Sequence, residues 1–299
     1  MGANLKEVRE RISSVNSTQQ ITKAMKMVSA AKLRRAQEAI QQMRPYARKL
    51  NEMMANILSN LDGDASSAYG ESREIKRVLV VIVTSSRGLC GAFNANIIKE
   101  ANALIAQKYP EQAKAGQVRI IPVGKKGYDA YRKVHPPHVI DKNYVSLFDD
   151  LSFDNVSKLS SYMIRAFLDG DYDAIEVVYG RFKNAAQQFP VAIQWLPVEK
   201  IEAEGGSGSS KMRADYIFEP QKEALLEKLI PSILQTTFQS YLLDTHASEH
   251  GARMTAMDKA TDNANELMKE LRITYNKARQ EAITKEISEI VGGAAALES

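Results

Sequence analysis

His246, Ala247, Ser248, Glu249 and His250 spell H-x-x-E-H. On a helix this spacing puts two imidazoles one turn apart on one face, the first requirement of a zinc site. The pattern is also that of a zinc peptidase motif. The chain has only four histidines, and the other two, His135 and His138, flank Pro136 and Pro137. A third ligand would have to be a carboxylate, so the expectation here is two solvated helix residues. The second chemical candidate is the stretch Thr84, Ser85, Ser86, Arg87, Gly88, Leu89, Cys90, Gly91, Ala92, Phe93, Asn94. A glycine-containing turn from strand to helix is where α/β domains cradle phosphates, and Arg87 could assist. There is no G-x-G-x-x-G, and no Lys-Ser/Thr follows the glycines to hold a metal-bound phosphate. The competing reading is a tight turn whose loop recognises a protein partner. Cys90 as a nucleophile would need a histidine base, and none is near in sequence. A small buried residue is expected there instead.

A third candidate is charge. Arg9, Arg11, Lys23, Lys26, Lys32, Arg34, Arg35, Arg44, Arg48 and Lys49 make the first fifty residues basic. Nucleic-acid binding would want interleaved aromatic residues, which are few here. An acidic protein surface is the better partner for a basic helix, with a plain solvated face as the alternative. No enzyme emerges from these residues.

The elements that must position them begin with size. The chain has 299 residues, 40 Lys+Arg against 36 Asp+Glu, a formal charge of +4 and 44% hydrophobic residues, a globular composition with a soft prior of about two domains. A single cysteine excludes an internal disulfide framework and a cysteine-rich zinc site, and fits a reducing compartment. No run of about 18 apolar residues could span a bilayer. The first residues carry acids and no apolar stretch, against secretion or organelle import, and Lys6 stands where a myristoylation site needs Ser or Thr. The modest net charge hides an asymmetry. Residues 1–60 hold eleven bases and four acids, a net +7, whereas residues 221–299 hold nine bases and twelve acids, a net −3.

Both charged ends read as helix. Leu33, Ala36, Ile40, Met43, Ala47, Leu50, Met54, Ile57 and Leu61 alternate steps of three and four, and the register extends back through Leu5, Val8, Ile12 and Val15. Between them it meets Gln19, Thr22, Lys26 and Ser29, while Ile21, Ala24, Met25 and Val28 suggest a rotated apolar stripe. A 3.5-residue repeat belongs to a left-handed coiled coil. Asn4 and Glu7 suit a capped start, and the seam stays in phase across Pro45, so the helix should continue through it. At about 1.5 Å per residue, some 55 residues give a rod of about 80 Å. Near the other end, Pro220 suits a first turn and Pro231 should kink or split the helix beyond it. Then come Leu234, Phe238 and Tyr241, a small-residue seam of Ala260, Ala264, Leu267, Leu271, Thr274 and Ala278, and a resumed seam of Ile283, Ile287 and Ile290, with Gly292 and Gly293 as the expected stop. Helices of opposite charge bias at the two ends invite an antiparallel pair; two helices of an ordinary bundle are the plainer alternative.

The middle alternates strands and helices: Val78 to Val83 and Val118 to Val123 as strands, Phe93 to Tyr109 as helix, Lys125 to Val134 as a short helix, Phe153 to Leu168 as helix ended by Gly170, then strands at Ala174 to Tyr179 and Phe189 to Trp195. This implies a small Rossmann-like α/β domain with a largely parallel sheet. Gly205 to Ser210 reads as a flexible loop. The organisation is therefore residues 1–61 as a first coiled-coil helix, 62–219 as an inserted α/β domain, and 220–299 as a second coiled-coil helix.

Taken together, ITKAMKMVSAAK (Ile21 to Lys32), SSRGLCGAFN (Ser85 to Asn94), SEHGARMTAMDKATDNANEL (Ser248 to Leu267) and ITKEISEIVGGAAA (Ile283 to Ala296) resemble the gamma subunit family of F-type ATP synthases. The resemblance runs from end to end, and its terminal run fits the family signature position for position. It implies a single-copy, non-catalytic rotor shaft without cofactor or metal. Its two terminal helices would stand inside a hexamer of alternating alpha and beta subunits, and its α/β foot beside the epsilon subunit and the membrane ring of c subunits, peripheral on the cytoplasmic face of a bacterial membrane. It also implies roles for particular residues. Met25 and Lys26 fall where the shaft passes acidic loops of beta, and Arg87 lies in the turn that contacts the hexamer. Arg279 and Gln280 fall in the stretch of helix against a beta subunit, while Tyr216 and Glu219 lie in the foot segment next to the c ring and epsilon. Against it stand two readings from other classes: an α/β phosphate-binding enzyme with coiled-coil arms, and a zinc hydrolase.

Overall fold

Six consecutive apolar residues, Val78–Val83, form β1, and every one of them is buried. Such a run suits a strand covered on both faces, where alternation would waste half of it. The computed structural model shows that arrangement. It describes residues 5–59, 69, 70, 73–134, 136, 139–198 and 222–298, without the side chains of 51–59, 222–228 and 294–298. The elements in order are α1 (Leu5–Ser59), β1, α2 (Phe93–Lys108), α3 (Pro110–Lys114), β2 (Val118–Val123), α4 (Lys125–Tyr131), α5 (Phe153–Leu168), β3 (Ala174–Phe182), β4 (Gln188–Leu196) and α6 (Lys222–Glu298). By compactness the chain forms two units, Met1–Ala30 with Arg253–Ser299, and Ala31–Ala252.

In the larger unit the sheet order is β2-β1-β3-β4. β1 runs parallel to β2, with Val78 opposite Val118, and parallel to β3, with Val78 opposite Ala174; β4 returns antiparallel on β3. One face, carrying Leu79, Val81, Ile121 and Val177, packs on Leu159, Met163 and Phe167 of α5 and on Leu234, Phe238 and Leu242 of α6, with Leu50 of α1. The opposite face, carrying Val80, Ile82, Ile120 and Val178, packs on Phe93, Ile97 and Ala101 of α2. The expected mixed fold, largely parallel with long terminal helices, is the observed one.

Two glycines allow close approach. Gly124, at φ +102°, lies so near the carbonyl of Thr84 that a Cβ would sit 2.1 Å from its oxygen. At Gly180 a Cβ would meet the Phe93 ring at 2.6 Å. Here β3 has passed Val178, its last residue paired with β1. Thr245 and Ser248 of α6 take over: the Gly180 amide donates to Thr245 Oγ1 at 3.2 Å, and Ser248 Oγ donates to the Gly180 carbonyl at 2.9 Å. Beneath the β3–β4 hairpin lies a buried carboxylate. Glu176, 1% exposed, accepts from Tyr109 Oη and Lys108 Nζ, both at 2.6 Å. In the first third of α6, Tyr241 stacks on Tyr179 with ring centres 4.4 Å apart. Burial raises the neighbouring Asp244 carboxyl to about 6, against the lowering influence of Arg44 and Arg181.

Several expectations are corrected. Pro231 does not split the last helix; it lies inside α6, whose flanking Ile230, Ile233 and Leu234 are anchored in the core. Gly292 and Gly293 do not stop it either. A glycine costs a helix about 1 kcal/mol relative to alanine, and the following Ala294, Ala295 and Ala296 are the strongest helix formers, so the element runs on to Glu298. α3 and a 3-10 turn at Leu147–Asp149 were not anticipated; Pro110 starts α3 at the position where a missing N–H costs nothing. Pro45 does lie within a continuous α1. Asn4, Pro220 and the Gly205 to Ser210 loop lie outside the described residues.

Candidate functional site

The smaller unit consists of the two chain ends lying antiparallel. Gln19 Nε2 donates to Asn265 Oδ1, Thr22 and Thr261 hydroxyls meet at 2.7 Å, Lys26 Nζ pairs with Asp258, and an Arg9 guanidinium nitrogen donates to Tyr275 Oη at 3.0 Å. At all four contacts the two residue numbers add to 283 or 284, so one register holds over the whole pair. Three consecutive seam positions of α1 are thus polar, each facing a polar partner. Burying such groups is tolerable only when they are mutually bonded, and a polar layer of this kind rejects shifted alignments that would strand it.

This overturns the rotated stripe. The polar positions Thr22 and Ser29 are buried, at 7% and 2% exposure, while Ile21 and Val28 are 59% and 57% exposed. Ala24 is exposed too, and Met25 is half-buried. The seam on α6 holds at Ala264 and Ala278, which are buried, but between them it shifts by one residue: Met268 is buried where Leu267 was expected and is exposed, and Thr261 is buried beside a half-buried Ala260. The reason is the polar layer, which needs Asp258, Thr261 and Asn265 turned towards α1. No seam resumes at Ile283, Ile287 and Ile290, which are all exposed. The register explains why: Leu5, where the described α1 begins, lies level with about residue 279. From there to Gly293 every described α6 side chain is exposed.

The residues singled out by resemblance do not converge on one pocket. Met25 and Lys26 are neighbours on α1. Arg279 and Gln280 are exposed on α6, level with the start of α1, which by the register is some 20 residues and about 30 Å along the pair. Arg279 also helps Arg9, whose hydrogen bond is the main cause, to hold the Tyr275 phenol below its usual range. Arg87 is exposed in the other unit, and Tyr216, Glu219, His135 and His138 lie outside the described residues. Sequence reading missed the polar pairs, although the signal was there: Gln19, Thr22 and Lys26 interrupt a seam apolar before and after them. Swapping the charges is expected to be nearly neutral. Lys26→Glu alone should cost about 0.5–1 kcal/mol, and Asp258→Lys added to it should recover most of that, read as the thermal midpoint in a double-mutant cycle.

The turn between β1 and α2 is filled by its own side chains. The Ser85 amide donates to Asn94 Oδ1 at 2.9 Å, Asn94 Nδ2 donates to Ser85 Oγ at 2.8 Å and reaches the buried Cys90 Sγ at 3.2 Å, and Ser85 Oγ donates to the Arg87 carbonyl at 2.6 Å. This network holds Leu89 at φ +64°, a conformation that costs a non-glycine residue about 1 kcal/mol or more. Leu89 is 63% exposed beside Arg87. A strained loop offering an apolar side chain and a guanidinium suits a protein surface better than a phosphate. A cleft of about 420 Å³ lined by Arg77, Arg119, Tyr162, Asp171 and Tyr172 contains none of the singled-out residues and no nucleophile–base pair. Among the described residues no three His, Cys, Asp or Glu side chains cluster as a metal site. The expectation of two solvated histidines is also wrong. His250 is 5% exposed, and His246 is half-buried against the Phe148 ring.

Comparison with known proteins now bears on this geometry. The sequence model of a family described as ATP synthase matches residues 4–297. The ATP synthase gamma chain of Cytophaga hutchinsonii is 55% identical over 98% of this chain and 99% of its own length. That of Flavobacterium psychrophilum is 55% identical, over 99% of each. A chain from the rotor of the Euglena gracilis mitochondrial ATP synthase shares the fold at a TM-score of 0.59 and 24% identity, covering 93% of this chain and 98% of that one. A second structure of that enzyme, with F1 and c-ring, contains a chain matching at TM-score 0.63 and 23% identity, over 98% and 94%. By a family match spanning nearly every residue and relatives of equal length at 55% identity, this chain belongs to the ATP synthase gamma chain family.

Proposed function

We propose that the chain is the central rotor shaft of an F-type ATP synthase, present once per complex, and that it couples ion-driven rotation of the c ring to ATP synthesis or hydrolysis without catalysing either step. The observation that carries this is the antiparallel pair of chain ends, locked in one register by a polar layer while Ile21, Val28 and Ile273 remain exposed outside. Two helices side by side are asymmetric in cross-section. Three catalytic sites around them cannot all meet the same face, so each orientation favours a different set of subunit conformations. That is coupling through differential contacts. The alpha and beta subunits surround the pair. The epsilon subunit and c ring adjoin the foot, and Tyr216 and Glu219 are the residues assigned to that contact. The chain is peripheral on the cytoplasmic face of a bacterial membrane, and no described helix is long and apolar enough to cross one.

Contacts with the hexamer are carried by Met25, Lys26, Arg87, Arg279 and Gln280. Exposed charges such as Arg87 and Arg279 bind weakly one at a time, which lets a rotor pass them without locking. Arg87→Ala and Arg279→Ala should each leave the thermal midpoint of the chain unchanged and lower ATP synthesis by the reconstituted complex several-fold. Unaltered synthesis in both would remove those two residues from the contact set. The stoichiometry test is native mass spectrometry of the complex purified through this chain. One copy per three alpha–beta pairs is expected, and one copy per pair would end the shaft reading.

A further inference from the structure

The rotor reading gives the H-x-x-E-H motif of α6 no role, yet its two rings are not idle. His246 Nε2 and His250 Nε2 face each other at 3.1 Å, with the rings nearly perpendicular at 82°. We propose that these two imidazoles form a clamp for one divalent transition-metal ion, tightest for Cu2+ and weaker for Zn2+. This inference stands apart from the rotor reading. Each nitrogen would bind at about 2.0–2.1 Å, and a 3.1 Å separation then sets the nitrogen–metal–nitrogen angle near 100°. That value lies between the right angle of square-planar copper and the tetrahedral angle of zinc, so the separation suits either ion once the rings turn their lone pairs from each other onto the ion. The clamp is also pre-set. His250 is buried, and Phe148 from the 3-10 turn stacks on His246 with ring centres 6.2 Å apart, so ring freedom has already been lost on folding.

Without metal, the two nitrogens share a hydrogen bond in which one imidazole donates from Nε2. On binding, that ring carries its proton on Nδ1 instead, and both Nε2 lone pairs go to the ion; no proton is gained or lost. The described residues supply no third side-chain ligand, so water fills the remaining positions, through the half-exposed rim at His246. The bound ion would staple one turn of α6 where Ser248 is bonded to Gly180 and Gly251 rests on Ala185.

The test is titration of the untagged full chain with CuCl2 and with ZnCl2 in a non-coordinating buffer, followed by calorimetry, thermal melting and, for copper, electron paramagnetic resonance. One saturable ion per chain, a raised melting midpoint and hyperfine splitting from two nitrogens are expected. His246→Ala and His250→Ala should each weaken binding at least tenfold, while a His135→Ala/His138→Ala double variant should keep it. If burial makes His250→Ala unstable, His246→Ala at the rim still decides the question. No saturable binding by the wild-type chain overturns the clamp, as does binding that survives His246→Ala but is lost in the His135/His138 variant.

Discussion

Gly124→Val should destabilise the larger unit by roughly 4 kcal/mol. Gly124 has φ +102°, a region closed to a β-branched residue, and the new Cβ would lie 2.1 Å from the Thr84 carbonyl oxygen and 2.8 Å from its carbon. Both are backbone atoms at the end of β1, so no rotamer change relieves the clash. The same residues are tied by hydrogen bonds: the Thr84 amide to the Val123 carbonyl at 2.8 Å, the Gly127 amide to Thr84 Oγ1 at 2.8 Å, and the Gly124 amide to the Val145 carbonyl at 3.1 Å. Backbone strain of about 1–3 kcal/mol and overpacking of similar size give a loss of roughly 4 kcal/mol, a large part of a typical total of about 5–15 kcal/mol. The control is Gly116→Ala, at φ +69° with nothing within 4 Å of its Cβ, which should cost only about 1 kcal/mol. Thermal unfolding followed by circular dichroism separates the two. Equal midpoints would show that the close approach at Thr84 does not constrain the fold.

Removing the buried carboxylate beneath the hairpin should be nearly as damaging. Glu176→Ala takes away the acceptor of both Tyr109 Oη and Lys108 Nζ in a site only 1% exposed. Lys108 is 42% exposed along its side chain and also bonds Gln194 Oε1 at 2.8 Å, so it returns to water at little cost. The Tyr109 hydroxyl has no such exit. Burial first, then the hydrogen bond to Glu176 and its charge, push its pKa far above the usual phenol value, so it remains a neutral donor that must be satisfied. An orphaned buried partner and the cavity together put the loss at about 3–4 kcal/mol. Glu176→Gln keeps an acceptor for the phenol and should lose about 1–2 kcal/mol. Urea unfolding curves for the two variants test the ranking, and coincident midpoints would contradict it.

Much of this arrangement was legible in the residues, for physical reasons that also explain the failures. The run from Val78 to Val83 read as a strand buried on both faces, and it is one. The α1 seam through Leu33, Ala36, Ile40 and Leu50 was correct because each of these is large enough, or close enough to a partner, to be buried. At Gln19, Thr22 and Lys26 the same logic failed. A hydrophobicity pattern counts a polar side chain as outward, whereas these three are inward because partners on the other helix complete their hydrogen bonds. The polar break in the seam marks the place, but the partners lie 232 to 246 residues away and nothing local names them. The histidines failed similarly: nothing nearby in sequence announces Phe148, which comes from a turn about a hundred residues earlier. As for the sites, Lys26, Met25 and Arg279 came from resemblance, and the structure contributes their spacing along a surface.

The register that closes the pair also sets where it gives out. Beyond about residue 279, α6 continues with every described side chain in solvent, whereas below that point it lies alongside α1. A lone helix resists twisting less than two helices joined by a polar layer. Under applied torque, angular deflection would therefore concentrate in the stretch carrying Ile283, Ile287 and Ile290, making it the more compliant spring in series with a stiffer shank.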